Sequence, residues 1–377
     1  MKKHLNHDNK KIICIFKSGR NLRFELVNKG KAPREFFYGF FELIEKGYNV
    51  VRISNSFKPK NIFGYFLRYF EIFFNQFHKL GLNPSVIYQN FNKFKHSNTI
   101  ISFTDGLSIT LGYYRKTFKN EDQYLIGCFH CLSDFDNRSP KILQFWSDFV
   151  INKGLKNLDH VAFFGPADRI YALQKFNLNK NKTSIIKFGV DTKFWVPSRK
   201  KQSDYIFSVG QDPNRDFLTL MKVNINYPIK IHTALNIKKP KNRHNIEISK
   251  GSFNKSTISD IELRKIYQNS AIVVIPLKDV YQPTGYSVTL QAMACGKPVI
   301  LTKIKGLWSS KLLINKFNCI LVPPYDHKSL EDAINNLLIN KKLRDKISYN
   351  ARKTVLEHFN LKIASNSLEK IILRSFR

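Results

Sequence analysis

The sequence predicts an α/β protein made of two doubly wound domains that face a cleft. The chain has 377 residues, which suits about two domains of roughly 150 residues each. Short apolar, β-like runs alternate with helical patterns, as in parallel sheets covered by helices on both faces. A Pro-, Ser- and Lys-rich stretch over residues 195–203 interrupts this alternation, which then starts again. We therefore predict an N-terminal domain over 1–194, a linker over 195–203, a C-terminal domain over 204–358, and a final helix over 359–377 that crosses back to the first domain.

The predicted first domain opens with a buried strand, Ile12–Phe16. The stretch "REFFYGFFELIEKG" predicts a helix, because its apolar residues recur at helical spacing. These residues would share one face of the helix: Phe36, Phe40, Leu43 and Ile44. Further helices are expected around residues 141–151 and from Pro166, since proline suits the first turn of a helix. The other predicted strands of this domain are "YNVVRIS", "NTIISFT", "QYLIGCFH", "HVAFFG" and "TSIIKFGV".

The second domain repeats this construction after the linker. Its predicted strands are "YIFSVG", "IKIHTAL", "IEISKGSF", "SAIVVIPL", "PVILT" and "CILVPP", with helices between them. A long helical region follows from residue 329, and residues 361–376 form an amphipathic pattern. In open sheets of this kind, ligands bind at the carboxyl ends of the strands. The loops that leave these strands are therefore the first places to search for a site.

Composition limits the class of protein. With 43% hydrophobic and 14% aromatic residues, the chain is globular and not disordered. Its longest apolar runs, such as residues 271–275, are far shorter than the ~20 residues of a membrane span. The first residues lack the apolar run of a signal peptide, so we expect a cytoplasmic protein.

Cys128 and Cys131 form a CxxC pair, but no second pair completes a zinc site, and we predict buried thiols with no metal and no disulfide.

The chain is strongly basic, with 62 Lys and Arg against 28 Asp and Glu and a net charge of +34. The cations are spread along the whole sequence, and the richness in Lys, Asn, Ile and Phe is typical of an AT-rich genome. Nucleic acid is therefore an unlikely partner. A basic surface favours binding to anionic lipid headgroups and phosphate-bearing substrates. The positive charge therefore has two possible explanations: peripheral binding at the inner, anionic face of a membrane, or the amino-acid bias of an AT-rich genome.

Residues 282–300, "QPTGYSVTLQAMACGKPVI", have the layout of an anion site. Ser287 is a plausible N-cap for a helix over 288–295, with Gly296 as its left-handed stop. A helix start reached through a glycine presents free backbone N–H groups to an anion. The residues that would line it are Gly285, Tyr286, Ser287, Val288 and Thr289. An ordinary capped core helix explains the same residues equally well.

A family resemblance favours the anion site. Residues 251–300, together with "IIKFGVDTKFWVPS", "SVGQDPNRDF" and "NCILVPPYDHKSLEDAINNLLINKKLRDKISYNARKTVLEHF", resemble the nucleotide-sugar half of GT-B glycosyltransferases. The similarity runs from about residue 182 to residue 359 and is closest to the retaining family 4, or glycosyl transferases group 1, type. It implies two Rossmann-like domains and transfer of a sugar from a nucleoside diphosphate to a glycan or lipid-linked acceptor, with retention. It also implies no cofactor and no essential bound metal.

The resemblance assigns roles to residues of the second domain. The family carries two glutamates separated by seven residues, and the matching positions here are Pro283 and Gln291. Gln291 would still bond the nucleotide ribose through its amide, and the neighbouring Gln282 would replace the first glutamate near the donor sugar. Arg215 would neutralise the diphosphate, with Gln211 where the family often has arginine. A solvated surface charge is the alternative for Arg215.

The remaining assignments concern strand ends. Gly251, Ser252 and Phe253 lie where the family presents backbone groups to the nucleotide base. His130 ends a strand of the first domain where the family often has a histidine near the donor sugar; a core histidine is the alternative. Asp105 and Asp134 lie at strand exits, where acceptor contacts belong, or they cap a helix, and Gly19 is a candidate on the same side for a close-approach loop after the first strand.

The loss of both glutamates leaves two other classes of protein open. One is a non-catalytic GT-B homologue that acts as a binding or scaffold protein. The other is a different sugar-nucleotide enzyme, such as an epimerase, although the segment 282–300 lacks the carboxylates that proton transfer usually requires. Binding of a nucleoside diphosphate sugar, followed by its turnover, separates these classes from a glycosyltransferase.

Overall fold

The structure is a computed structural model that describes residues 10–17, 19–54, 56, 58–118, 123–138, 140–198, 204–252 and 257–376. Phe253 and most of the predicted linker lie outside the described residues. The chain divides into two compact units. The first contains residues 1–24, 37–187 and 364–377, and the second contains residues 25–36 and 188–363.

The first unit is built on a parallel sheet of six strands in the order β2-β1-β3-β4-β5-β6. Its register places Ile13 opposite Ile100, and Ile100 opposite Leu125, so that buried aliphatic side chains form rows across the sheet. The strands are β1 Ile12–Phe16, β2 Val50–Ser54, β3 Thr99–Ser102, β4 Tyr124–Phe129, β5 His160–Phe163 and β6 Thr183–Ile185.

Helices connect these strands, as parallel pairing requires. The helices that precede the second sheet are α1 Arg20–Asn28, α2 Phe40–Glu45, α3 Ile62–His78, α4 Pro84–Gln89, α5 Phe91–Lys95, α6 Asp105–Phe118, α7 Phe135–Arg138, α8 Gln144–Lys156 and α9 Pro166–Lys175. The helices predicted around residues 141–151 and from Pro166 correspond to most of α8 and to α9. The helices α3, α4 and α5, within residues 57–95, were not predicted.

The second unit repeats the architecture with a parallel sheet in the order β12-β11-β10-β7-β8-β9. Its strands are β7 Ile206–Val209, β8 Ile229–Thr233, β9 Ile246–Lys250, β10 Ile272–Ile275, β11 Val299–Thr302 and β12 Ile320–Val322. Its helices are α10 Phe217–Lys222, α11 Asp260–Asn269, α12 Tyr286–Ala294, α13 His327–Ile339 and α14 Lys341–His358. Two parallel sheets with helices between the strands confirm the predicted α/β class.

The last helix, α15 (Leu361–Ile372), is continued by a 3₁₀ helix over Leu373–Phe376. From Ala364 onward its residues belong to the first unit. Glu369 accepts a hydrogen bond from the Tyr48 hydroxyl at 3.0 Å, and the Ser375 hydroxyl lies 2.8 Å from that of Thr99. Among the described residues, no helix is both long and apolar enough to cross a membrane.

The predicted continuous helix around residues 34–47 is wrong. The chain forms a 3₁₀ turn over Glu35–Phe37, takes left-handed conformations at Tyr38 and Gly39, and only then begins α2. Gly39 has φ 99°, and a Cβ there would lie 3.1 Å from Ser365, so the backbone bends where it approaches α15 closely. Within α2, Phe40 and Leu43 are buried, whereas Ile44, which was predicted to share their face, is exposed.

Candidate functional site

The strand order of the second sheet reverses between β7 and β10, which are hydrogen-bonded neighbours. In open parallel sheets, such a reversal leaves a crevice at the carboxyl ends of the strands where ligands bind. The chain leaves β7 through residues 210–216 and leaves β10 through residues 276–285. These two loops carry Arg215 and Gln282, so the fold brings these two predicted residues to the same edge of the sheet.

Asp212 joins the two loops. Its carboxylate accepts a hydrogen bond from the Thr284 hydroxyl and lies 3.5 Å from Gln282 Nε2. The same side chain accepts from the Asn214 backbone N–H at 2.8 Å, which fixes its orientation. Residues 282–300 contain no acid, and no local pattern marks Asp212, because only the sheet order brings residue 212 beside residues 282–284.

Arg215 is buried, with 6% of its surface exposed. Its Nε and Nη1 atoms have no hydrogen-bond partner, and it forms no ion pair, among the described residues. The guanidinium lies against Gly210, where an added Cβ would overlap Arg215 Nε. Burial lowers the pKa of Arg215, while the charges of Asp212 and Tyr267 oppose that shift. The alternative of a solvated surface charge is therefore wrong.

The helix α12 begins two residues earlier than predicted. Gly285, with φ 82°, is its N-cap, and Ser287 lies inside the first turn, so Ser287 is not the cap. A left-handed cap of this kind is readily adopted only by glycine. Thr289 is fully buried and its hydroxyl donates to the Gly285 carbonyl at 2.8 Å, so its side chain does not line the helix start. Gly296 takes the predicted left-handed conformation, with φ 69°.

Gln291 points into the interior. Its Nε2 donates to Glu35 Oε1 at 3.0 Å, and its Oε1 accepts from the Tyr267 hydroxyl at 3.5 Å. Glu35 also accepts from Trp195 Nε1 at 2.7 Å and from the Asp191 N–H at 3.1 Å. Burial raises the pKa of Glu35 to about 7, against the opposing effect of these hydrogen bonds. The expected amide of Gln291 is thus engaged in a buried cluster, and Trp195, placed in the linker by the sequence, belongs to that cluster.

The other predicted residues in the loops that follow strands of the second unit are, where described, buried or half-buried. Gln282 is buried, and its Oε1 has no partner among the described residues. Pro283 is also buried, whereas Gln211 is half-buried in the loop after β7. Gly251 follows β9 and donates its N–H to the Thr233 carbonyl at 2.7 Å, and Ser252 beside it is half-buried.

The first unit contains a cavity of about 490 Å³ at the reversal between β1 and β3. Asp105 and His130, predicted from their places at strand ends, both line it. The Asp105 carboxylate accepts from the His130 N–H at 2.7 Å and from the Cys131 thiol at 2.8 Å. The His130 ring stacks on Phe164 at 4.3 Å between centroids, and burial lowers its pKa.

The cavity is also lined by cations that the sequence did not single out, namely Lys17, Arg20 and Lys79. The Arg20 guanidinium hydrogen-bonds the Tyr38 hydroxyl. No local signal marks these residues, because their side chains meet only once β1, α1 and the end of α3 are assembled. Gly19 is not a close-approach glycine, since a Cβ there would meet no atom within 4 Å. Asp134 lies on the 3₁₀ helix Leu132–Asp134 and is not among the described lining residues.

Comparisons with known proteins agree with this arrangement. Residues 238–354 match the family described as Glycosyl transferases group 1. An uncharacterized glycosyltransferase of Methanocaldococcus jannaschii is 35% identical over 98 residues, which is 26% of this chain and 24% of that relative. The match thus spans about a quarter of the relative's length.

The similarity to solved structures extends over the whole chain. Sucrose-phosphate synthase from Thermosynechococcus elongatus superposes with a TM-score of 0.68 at 15% identity, covering 97% of this chain and 99% of that one. Anabaena HepE in complex with UDP and glucose gives 0.67 at 14% identity, covering 96% and 99%. A glycosyltransferase from Rickettsia africae gives 0.64 at 14% identity, covering 98% and 99%.

These matches define the class of fold. The chain has the two-domain α/β fold of GT-B glycosyltransferases, as the sequence predicted. The stretch that matches the glycosyl transferases group 1 family, residues 238–354, lies within the second unit.

Proposed function

We propose that this protein is a glycosyltransferase that moves a sugar from a nucleoside diphosphate sugar to a glycan or lipid-linked acceptor, with retention at the anomeric carbon. The observation that carries the proposal is the buried Arg215 guanidinium, two of whose nitrogens lack a described partner, at the strand reversal of the second sheet. The complexes of HepE with UDP and with UDP-glucose support a uridine diphosphate sugar as the first donor to test.

Arg215 fits a diphosphate for a physical reason. A buried cation without partners is costly, and a guanidinium presents parallel N–H donors that match two phosphate oxygens. The N–H groups of the first turn of α12 provide a second set of donors for an anion. As the bond to the sugar breaks, the leaving diphosphate gains charge, and donors already aimed at it stabilise the transition state more than the ground state.

Asp212 and Gln282 are our candidates for the sugar side of the donor. Gln282 lies in the loop after β10 where the family has its first glutamate, and Asp212, in the loop after β7, supplies a carboxylate that Pro283 and Gln282 lack. The Gln282 Oε1 atom, which has no described partner, is available to a sugar hydroxyl. Asp105 and the cations of the first-unit cavity are our candidates for binding the acceptor, and His130 is our candidate for the catalytic histidine.

Asp212→Ala is expected to weaken binding of UDP-glucose more than binding of UDP, by on the order of tenfold, because only the sugar donor loses a hydroxyl partner. Asp332→Ala, at an exposed acid of α13, is the matched control. Titration calorimetry with both ligands measures the difference. An equal loss for both ligands would mean that Asp212 only holds the two loops together, and the proposed sugar contact would be wrong.

A thermal-shift screen of nucleoside diphosphate sugars tests the proposed function. A ligand present at 100 times its Kd stabilises the folded state by about 2.7 kcal/mol, so the correct donor should raise Tm clearly above the shift given by nucleosides without phosphate. Absence of any shift across uridine, guanosine, adenosine and thymidine diphosphate sugars would contradict it. Binding without turnover would instead favour the non-catalytic alternative.

A further inference from the structure

Helix α3 (Ile62–His78) is amphipathic, but its aromatic face is exposed and the opposite face is buried. Its buried face carries Gly64 and Glu71, and the Glu71 carboxylate accepts from the Ser85 N–H at 2.6 Å and from Arg68 at 3.1 Å. Its outer face carries an aromatic stripe in which five phenylalanines recur every three or four residues and one tyrosine lies beside them, each with 45 to 70% of its surface exposed. The stripe consists of Phe63, Phe66, Tyr69, Phe70, Phe73 and Phe77. This periodicity normally marks the side of a helix that faces a core.

A second group of exposed apolar side chains lies just before and at the start of α8. Ile142, Phe145, Trp146 and Phe149, at the start of α8, are 44 to 87% exposed. His78 at the end of α3 connects the two helices, because its Nδ1 lies 2.9 Å from the Ser147 hydroxyl. We call the α3 stripe and these four side chains together the aromatic face. Large exposed groups of apolar side chains commonly mark a binding surface.

The charge around the aromatic face is positive. Exposed Lys58 and Lys60 precede α3, Lys79 follows it, and Lys141 and Lys153 lie at α8. The acids of the two helices are already engaged, since Glu71 is buried beside Arg68 and Asp148 pairs with Lys175 at 2.9 Å. The surface therefore combines exposed aromatic rings with a cationic rim.

We propose that the aromatic face docks into the interface of a bilayer that contains anionic lipids, with α3 lying in the membrane plane. Tyrosine and tryptophan prefer the headgroup region, and an amphipathic helix with a basic rim binds there by burying its apolar face. The lysines contact anionic headgroups, each adding to the attraction. A second copy of this chain fits less well, because it brings the same cations to the contact and carries the same +34 net charge.

The position of α3 gives this docking a consequence for the acceptor. Lys79, the residue that ends α3, also lines the first-unit cavity with Lys17 and Arg20. A docked α3 therefore brings the cationic cavity next to the headgroup layer, where a lipid-linked, phosphate-bearing acceptor would present its polar end. This step rests on the proposed function, whereas the docking itself does not.

Trp146 provides a direct test. Of the three tryptophans, Trp195 and Trp308 are buried, and Trp146 is 58% exposed. Adding vesicles of phosphatidylcholine with phosphatidylglycerol should shift the emission of Trp146 to shorter wavelength, and phosphatidylcholine alone should shift it much less. Raising the salt concentration should weaken binding, because it screens the lysine contacts. Trp146→Phe should lose the shift but still sediment with vesicles.

The double variant Phe66→Ser/Phe73→Ser should bind anionic vesicles at least about tenfold more weakly than the parent, because it loses two inserted rings. Leu218→Ser/Ile339→Ser is the matched control, since both residues are exposed and apolar but belong to the second unit. Equal vesicle binding by the parent and the Phe66/Phe73 variant would overturn the proposal. So would a parent dimer that this variant converts to a monomer.

The response to UDP-glucose, measured on the same variants, separates the two proposals. Loss of vesicle binding with an unchanged thermal shift supports the docking surface and leaves the donor site intact. Vesicle binding by the aromatic face without any response to nucleotide sugars would overturn the proposed function alone. Failure of the parent to bind anionic vesicles would overturn the docking alone.

Discussion

Arg215→Met is expected to make the ligand-free protein more stable and to abolish most of its affinity for a nucleoside diphosphate sugar. Methionine fills a similar volume without a charge, so it removes the cost of a buried guanidinium that lacks partners at Nε and Nη1. We expect a gain of about 1–3 kcal/mol in the free energy of unfolding. Loss of charged hydrogen bonds to the diphosphate should weaken binding by about 1.5–3 kcal/mol, or roughly ten- to a hundredfold.

The control for this prediction is Lys230→Met. Lys230 is half-exposed and pairs with Glu247 at 3.5 Å, so its loss should change neither quantity by much. Urea unfolding without ligand and calorimetric titration with UDP-glucose measure the two effects. An Arg215→Met variant that is less stable and binds the donor as well as the parent would show that Arg215 supports the fold and does not bind phosphate.

Glu35→Ala should be the most destabilising of the substitutions considered. It leaves Trp195 Nε1, Gln291 Nε2 and the Asp191 N–H without their acceptor in a buried cluster, and it opens a cavity. Each unsatisfied buried donor costs about 1–3 kcal/mol, so we expect a loss of at least about 3–5 kcal/mol in the free energy of unfolding. Glu35→Gln, which keeps one acceptor oxygen, should lose less.

The pKa of Glu35 adds a pH signature. Its value of about 7 in the folded state lies above the ordinary 4.5, so the fold favours the protonated carboxyl. This contribution to stability is fully present below about pH 4.5 and is lost as the pH rises through about 7. Glu35→Gln cannot ionise, so its unfolding free energy should fall less than that of the parent between about pH 5 and pH 8. Parallel curves for the two proteins would contradict the raised pKa.

Local sequence patterns correctly predict those features that depend only on residues close together in the chain. The strand Ile12–Phe16 is where the apolar run placed it, and Gly296 takes the left-handed conformation that ends α12. The start of α12 was missed by two residues, because Ser287 and Gly285 both suit an N-cap and only the backbone conformation at Gly285 decides between them. The apolar face of α3 follows a clear helical period, but the sequence does not say that this face meets solvent.

The site depends on contacts between distant parts of the chain, and there local patterns fail. Asp212 becomes relevant only because β7 and β10 are neighbours, which brings it to Thr284. The Gln291 amide donates to Glu35, which lies 256 residues earlier in the same unit, and no local pattern indicates that contact. A family pattern transfers positions along the chain, but it does not transfer the partners that those positions acquire in this fold.

Arg215, we propose, holds the diphosphate of a sugar donor that is then cleaved. A single-turnover assay with UDP-glucose labelled in the sugar, in the presence of vesicles and candidate acceptors, tests this claim most directly. With the parent protein, we expect labelled sugar to leave UDP, to an acceptor or more slowly to water. Arg215→Met should lose at least about nine-tenths of this rate at a donor concentration near the parent's Kd. A parent protein that binds UDP-glucose and releases it uncleaved, or an Arg215→Met variant that turns it over at the parent's rate, would contradict the claim.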